Sequence, residues 1–217
     1  MNLIDLENAS TKEKILDVSR KLFAKYGFEG TSIRDIAKES GVNVSAVNYH
    51  FKNKAGLFWH NMVVSYEMME SQIEIFSKKC DSAIDLCMSI YDHFYQQSDA
   101  LRSTMRMLLS ESLDPPEDPA VAQRLTATFG PPGGRFIAAK IQQEIPYKFD
   151  DEGIYWAVKT IFGSIFHWSM MCKMAHIKKG HSLDYLIEPK QIRKDVERLI
   201  TATLEYIKNH KEIFDKE

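Results

Sequence analysis

Residues Thr31 to Leu57 read TSIRDIAKESGVNVSAVNYHFKNKAGL, and the spacing inside this stretch decides the fold. Ser32, with Asp35 three positions on, is a capping box, so a helix starts at Ile33. Ile33, Ile36 and Ala37 form its inner face, and the small Ala37 lets a second helix cross close over it. Gly41 stands where a tight turn needs positive φ, Val42 plugs the angle between the two helices, and Asn43 is a good N-cap for the next one. Val47 and Phe51 are four apart and point inward together, which leaves Val44, Ser45, Asn48 and Tyr49 on the opposite face. An apolar position, a small residue, Gly, an apolar plug and an inward aliphatic ten residues after Ala37 make up helix-turn-helix grammar.

The outward set suits DNA. Ser45 and Asn48 are short hydrogen-bonding side chains that reach base edges, Asn pairing with adenine in a bidentate manner, and Val44 can touch a thymine methyl. Tyr49 and His50 can donate to phosphate, and Lys54, next to the N-cap Asn53 of a following helix, sits where backbone N–H groups also favour an anion. Arg34, at the start of the first helix of the pair, can reach phosphate or a base edge.

The run from Thr31 to Leu57 resembles the DNA-binding domain of the TetR family of bacterial transcriptional repressors, and the preceding helix fits it through Ile15, Leu16, Ala24, Gly27 and Phe28. The resemblance covers roughly residues 11–60. It implies groove-facing roles for Arg34, Val44, Ser45, Ala46 and Asn48, and phosphate contacts for Ser32, Tyr49, His50 and Lys54. Asn48 departs from the family, many of whose members carry Tyr there, while Tyr49-His50-Phe51 keeps its pattern. For the rest of the chain the resemblance implies only architecture: an all-helical effector-binding domain that dimerises through its last two long helices.

Bulk charge points the other way. The 217 residues carry a formal net charge of −2, which by itself argues against a nucleic-acid partner. Residues 11–60, however, hold nine Lys and Arg against five acids, a balance of +4, and residues 61–217 balance at −4. A basic segment is joined to an acidic body, the asymmetry expected of a nucleic-acid or membrane partner. An apolar content of 44% excludes a disordered chain. Three cysteines, Cys80, Cys87 and Cys172, cannot all pair and suggest a reducing compartment. No apolar run reaches the roughly 18 residues of a membrane span, and residues 1–10 show no secretory pattern, so a cytoplasmic location without a membrane partner is expected.

Helical periodicity continues through the chain, and β-type alternation is not seen. Helices are expected over Thr11–Tyr26, Ile33–Glu39, Val44–His50, Asn53–Lys79, Ser82–Gln97, Ala100–Ser112, Pro119–Ala127, Arg135–Glu144, Asp151–Ala175 and Pro189–Asn209. Loops are expected at Asp114–Pro116, Gly130–Gly134 and Lys178–Ser182. The reading is an all-α protein with a three-helix helix-turn-helix domain over residues 1–55 and a larger helical effector-binding and dimerisation domain over 56–217.

Over Ile154–Met174, Ile154, Val158, Ile161, Phe162, Ile165 and Ser169 share one face, and Trp156, Thr160, Gly163, His167, Met171 and Met174 share the opposite one. A helix apolar on both sides is buried on both, one against its own core and one against a partner helix. With Val196, Leu199, Ile200 and Thr203 of the last long helix, the set Trp156, Thr160, Gly163, His167 and Met171 is the expected interface of a homodimer, which would read a palindromic operator in double-stranded DNA. A pocket for a small, largely apolar or aromatic effector is expected around Tyr66, Met69, Met88, Tyr91, Met105, Phe129, Phe136 and Tyr155, where Met packs adaptably and Tyr adds a polar tip. Neither a cofactor nor a metal is expected: His167, Cys172, His176, His181 and Glu188 lack ligand spacing. No enzyme is expected either, since no phosphate loop, nucleophile elbow or paired carboxylates can be placed. The alternative to a DNA-binding repressor is a helical module that binds protein through its N-terminal bundle. It would show exposed apolar anchors in place of Ser45, Asn48, Tyr49 and Lys54.

Overall fold

The computed structural model describes residues 10–98, 101, 116–126, 130–148, 151–171 and 188–214. Helices there are α1 (Thr11–Tyr26), α2 (Ile33–Ser40), α3 (Val44–Phe51), α4 (Lys54–Lys79), α5 (Ala83–Gln96), α6 (Pro119–Thr126), α7 (Gly134–Glu144), α8 (Asp151–Met171), α9 (Pro189–Asn209) and α10 (Lys211–Phe214). No strand occurs among the described residues. Apart from Leu101, the expected helix Ala100–Ser112 lies outside them, as does the expected extension of α8 to Ala175.

The chain divides into two compact units, one up to Glu67 with the described part of 102–127, the other over 68–101 and 128–217. The boundary expected after residue 55 falls inside α4. The reason is packing: Leu57 and Phe58, in the first turns of α4, are fully buried in the core of the first unit.

In the first unit, Ser10 caps α1 through a reciprocal pair with Glu13, and Gly27 ends it by donating its N–H to the Phe23 carbonyl at 2.9 Å. Ile15, Phe23, Ile36, Val47, Phe51, Leu57 and Phe58 close a common core with Ala37. The rings of Phe23, Phe28 and Phe58 meet one another at 5.6 to 5.8 Å. Each fully buried ring contributes about 1.5–3 kcal/mol relative to exposure, so this aromatic trio is a large share of a small unit's stability. One polar link runs through the apolar core. The buried Asn61 amide donates to Ser19 Oγ at 2.7 Å and to the Leu57 carbonyl at 3.2 Å, and Ser19 Oγ donates on to the Leu16 carbonyl at 3.0 Å. A buried amide needs such partners, and here they fix α4 in one register against α1.

In the second unit α5 packs against α7, α8 and α9. Leu86, Cys87, Ile90 and Phe94 of α5 meet Ile137 and Ile141 of α7, Ile161 and Ile165 of α8, and Val196 and Ile200 of α9 in one buried cluster. Glu144 caps α5 from outside its own helix, its carboxylate accepting the Ala83 N–H at 2.5 Å. Arg193 clamps Asp92 with two hydrogen bonds of 2.9 Å. Burial, followed by the nearby Glu144 and Cys80, pushes the Cys87 thiol up to about 12, so it stays protonated and packs as a small apolar group.

Candidate nucleic-acid interface

The helix pair is built from its caps. Ser32 Oγ accepts the Asp35 N–H at 3.1 Å and donates to the Asp35 carboxylate at 2.5 Å, which starts α2. Gly41 ends it in the left-handed region at φ 69°, where a Cβ would be strained, and the Val42 N–H returns to the Ala37 carbonyl at 3.0 Å. Asn43 Oδ1 accepts the Ala46 N–H at 2.7 Å and starts α3. With Ile36, Ala37, Val47 and Phe51 buried, the opposite face of α3 is left to solvent: Val44, Ser45, Asn48 and Tyr49 are exposed, Tyr49 to 85%, and Ala46 and His50 are half-buried. Ser32 and Arg34 are exposed at the start of α2. The structure therefore brings the nine expected DNA-facing residues to one small unit, with two refinements.

The first refinement concerns Ser45. Its hydroxyl donates to Asn43 Oδ1 at 2.7 Å, so its proton is spent inside the cap and its oxygen remains as an acceptor. The second concerns Lys54. Its ammonium donates to the Phe28 carbonyl at 3.0 Å and stands 4.2 Å from the centroid of the Phe28 ring. The residue expected only to touch phosphate also ties α4 to the turn after α1.

Sequence reading missed the junction between α3 and α4. Lys52 has φ 65° and ψ −58°, and the Asn53 N–H donates to the Phe51 carbonyl at 2.8 Å. This is a γ-turn of the rare, strained kind, centred on a non-Gly residue. Asn53 Oδ1 then caps α4 through the Gly56 N–H at 2.7 Å. A Cβ on Gly56 would lie 2.2 Å from the Phe51 carbonyl oxygen, so no other residue fits without moving the end of α3. Lys52 is an exposed cation at the end of that helix and joins the candidate phosphate contacts.

Residues 15–59 match the family profile described as bacterial regulatory proteins, tetR family. The helix-turn-helix segment, residues 15–59, belongs to the TetR family. The segment is 45% identical over 65 residues to the "Probable HTH-type transcriptional regulator YttP" of Bacillus subtilis (strain 168), covering 30% of this chain and 31% of that protein. It is 40% identical over 67 residues to the HTH-type transcriptional regulator AcrR of Shigella flexneri, covering 31% of this chain and 29% of that one. The chain thus matches less than a third of the length of either relative. Solved structures extend the likeness of fold. FadR of Bacillus subtilis in complex with stearoyl-CoA superposes with a TM-score of 0.61 at 18% identity over 88% of this chain and 98% of that one. A transcriptional regulator from Aquifex aeolicus VF5 gives 0.56 at 19% over 88% and 99%.

The second unit sorts the remaining expected residues by exposure. On α8, Val158, Ile161, Ile165 and Ser169 are buried and Ile154 and Phe162 half-buried, while Trp156, Gly163 and His167 of the opposite face are exposed and Thr160 and Met171 half-buried. Met174 lies outside the described residues. On α9, Leu199 is exposed and Thr203 half-buried, but Val196 and Ile200 are buried at 1% and 0%. Those two were expected at the dimer interface. They belong to the unit's own core instead, because the apolar stripe of α9 is wide enough to turn one edge toward α5 and the other outward. Of the expected effector residues, Met88 and Tyr91 are buried core members, Met69 and Phe136 half-buried against that core, Tyr66 half-buried, and Tyr155 41% exposed. Met105 and Phe129 lie outside the described residues. Among the described residues no cluster of His, Cys, Asp and Glu could hold a metal, and no helix is long and apolar enough to cross a membrane.

Proposed function

We propose that this chain is a cytoplasmic DNA-binding transcriptional regulator, a repressor that grips a palindromic operator as a homodimer and lets go when a small, largely apolar or aromatic effector binds. The observation that carries the reading is the outward face of α3. Ser45, Asn48 and Tyr49 stand in solvent on a capped helix whose inner face is locked into a core by Val47 and Phe51. A helix held this way can enter a major groove without paying to order itself. The relatives named as HTH-type regulators support DNA as the partner over a protein-docking role, and a negative regulator among them, IcaR of Staphylococcus aureus, supports repression.

Two copies are needed to read a palindrome. The exposed face of α8 with Leu199 and Tyr206 of α9 is the apolar surface proposed to pair them. Stearoyl-CoA in the FadR structure is a precedent for effector binding by this fold; it does not choose the effector of this chain. Release requires that the effector bind one conformation more tightly than the other. The test is a selection for bound DNA sequences with the full-length chain, followed by titration at several salt concentrations. A palindromic consensus, with affinity that falls as salt rises, supports the reading. Binding that shows neither sequence preference nor salt dependence overturns it.

A further inference from the structure

A cleft of about 170 Å³ opens within the first unit beside the end of α3. Phe51, Trp59 and His60 line one part of it, and Glu117 and Asp118, just before and at the start of α6, line another. We propose that this cleft binds a small organic cation built on a single aromatic ring.

The size sets the first limit. A cavity of about 150 Å³ lined by side chains holds benzene, so this space takes one ring with a short arm and no more. The lining sets the chemistry. Aromatic faces carry negative quadrupole and attract a cation. The half-buried rings of Trp59 and His60 supply the aromatic surface, and His60 is held in place edge-on to the buried Phe51 at 5.2 Å, with its Nδ1 at 2.9 Å from the Gly56 carbonyl. Asp118 is fixed as well, its Oδ1 accepting the Ala120 N–H at 2.9 Å, and a carboxylate has further lone pairs to offer an ammonium.

Charge separates this cleft from the surface around it. Among the described lining residues Lys52 is the one Lys or Arg, against the two carboxylates of Glu117 and Asp118. Counting Lys, Arg, Asp and Glu, the described lining balances at −1, inside a unit whose residues 11–60 balance at +4. Tyr49, His50 and Lys52, candidate phosphate contacts, also line the cleft, but its two carboxylates repel phosphate and suit an amine. Occupancy needs no DNA, so the proposal stands or falls apart from the regulator reading.

The experiment is a titration of the full-length chain with phenethylammonium and, as a neutral control of the same shape, 2-phenylethanol. Binding is followed by the indole N–H resonances of the three Trp residues, with Trp59 assigned through Trp59→Phe. The cation is expected to shift the Trp59 resonance saturably and to bind about tenfold more tightly than the alcohol. Glu117→Gln and the double variant Glu117→Gln/Asp118→Asn are expected to remove most of that preference. Glu117 is exposed, and Asn keeps the α6 cap, so their melting temperatures should match the parent. Equal affinity for cation and alcohol, a preference that survives in the folded variants, or shifts confined to Trp156 and Trp168 would each overturn the proposal.

Discussion

The Lys54 ammonium donates to the carbonyl of Phe28 at 3.0 Å and rests 4.2 Å from the centroid of the same residue's ring. One side chain therefore meets both the backbone and the π-face of the residue that follows Gly27, and Phe28 itself packs in the aromatic trio with Phe23 and Phe58. A cation so placed has two consequences when removed. Lys54→Ala should destabilise the first unit by about 1–2 kcal/mol, through the lost charge-assisted hydrogen bond and cation–π contact. It should also weaken DNA binding on all sequences alike, since it reads no base. Denaturant unfolding together with binding to operator and scrambled DNA checks both; unchanged stability would show that the tether carries no weight.

Asn48 should behave in the opposite way. It is exposed, it stands on the outward face of α3, and its side chain has the donor and acceptor that adenine recognition needs. Asn48→Ala should cost about 1–3 kcal/mol on the preferred operator and little on scrambled DNA, with stability unchanged. Competition binding on the two DNAs reads the difference directly, and equal losses on both would remove Asn48 from base readout.

The helix-turn-helix was legible because its signals are local. Ser32 with Asp35, Gly41 and Asn43 act on backbone groups within a few residues, and each makes the hydrogen bond or turn its type implies. The γ-turn at Lys52, the tether of Lys54 to Phe28 and the Asn61–Ser19 bond were not legible, because each depends on where a separate helix arrives. Nothing in the residue types of Ser19 and Asn61, 42 positions apart, announces a pair. The α9 stripe shows a different limit. Periodicity says that Val196, Leu199, Ile200 and Thr203 share an apolar side of the helix, but not which of them the chain covers itself.

Lys52 offers a test of strain. A non-Gly residue at φ 65° and ψ −58° costs on the order of 1–3 kcal/mol, and glycine adopts the same geometry freely. Lys52→Gly should leave the unit as stable as the parent or up to about 1 kcal/mol more so, after allowing for glycine's extra freedom when unfolded. Lys52→Ala keeps the strain and should bring no gain. Both remove an exposed cation and should weaken DNA binding equally. Gly56→Ala tests the same junction from the other side: its Cβ would collide with the Phe51 carbonyl at 2.2 Å, and a loss of about 1–3 kcal/mol with impaired DNA binding is expected. Melting curves beside binding isotherms separate the three variants.

Acid should reach the first unit through Asp17. Burial favours its neutral form, but hydrogen bonds from Lys21 at 2.6 Å and Arg20 at 2.9 Å outweigh this and hold its carboxyl below the ordinary value of 3.8. Because the folded value is the lower one, the contribution is complete above pH 3.8 and is lost as pH falls through the folded value. Asp17→Asn should lower stability at neutral pH and flatten the fall below pH 3.8 that the parent shows. An identical acid limb in parent and variant would place the titrating group elsewhere.

Gly163 is the sharpest probe of the proposed dimer. It lies exposed in the middle of α8, and a Cβ built on it meets nothing within 4 Å among the described residues. In an isolated subunit, then, a larger residue costs nothing in packing, and Gly163→Ala should stabilise α8 by about 0.5–1 kcal/mol. A partner helix crossing over Gly163 reverses the expectation for bulk. Trp156 and Trp168 on α8 with Leu199 and Tyr206 on α9, each 36–42% exposed, supply the apolar surface that such a partner would cover. Gly163→Arg would drive a long charged side chain into that contact, so it should convert dimer to monomer by light scattering while the helical content stays the same. Operator affinity should fall with it, because one recognition helix gives up the second half-site. If the parent scatters as a monomer, the proposed dimer is wrong; if Gly163→Arg leaves a dimer intact, pairing uses a surface other than the crossing of α8 over its counterpart.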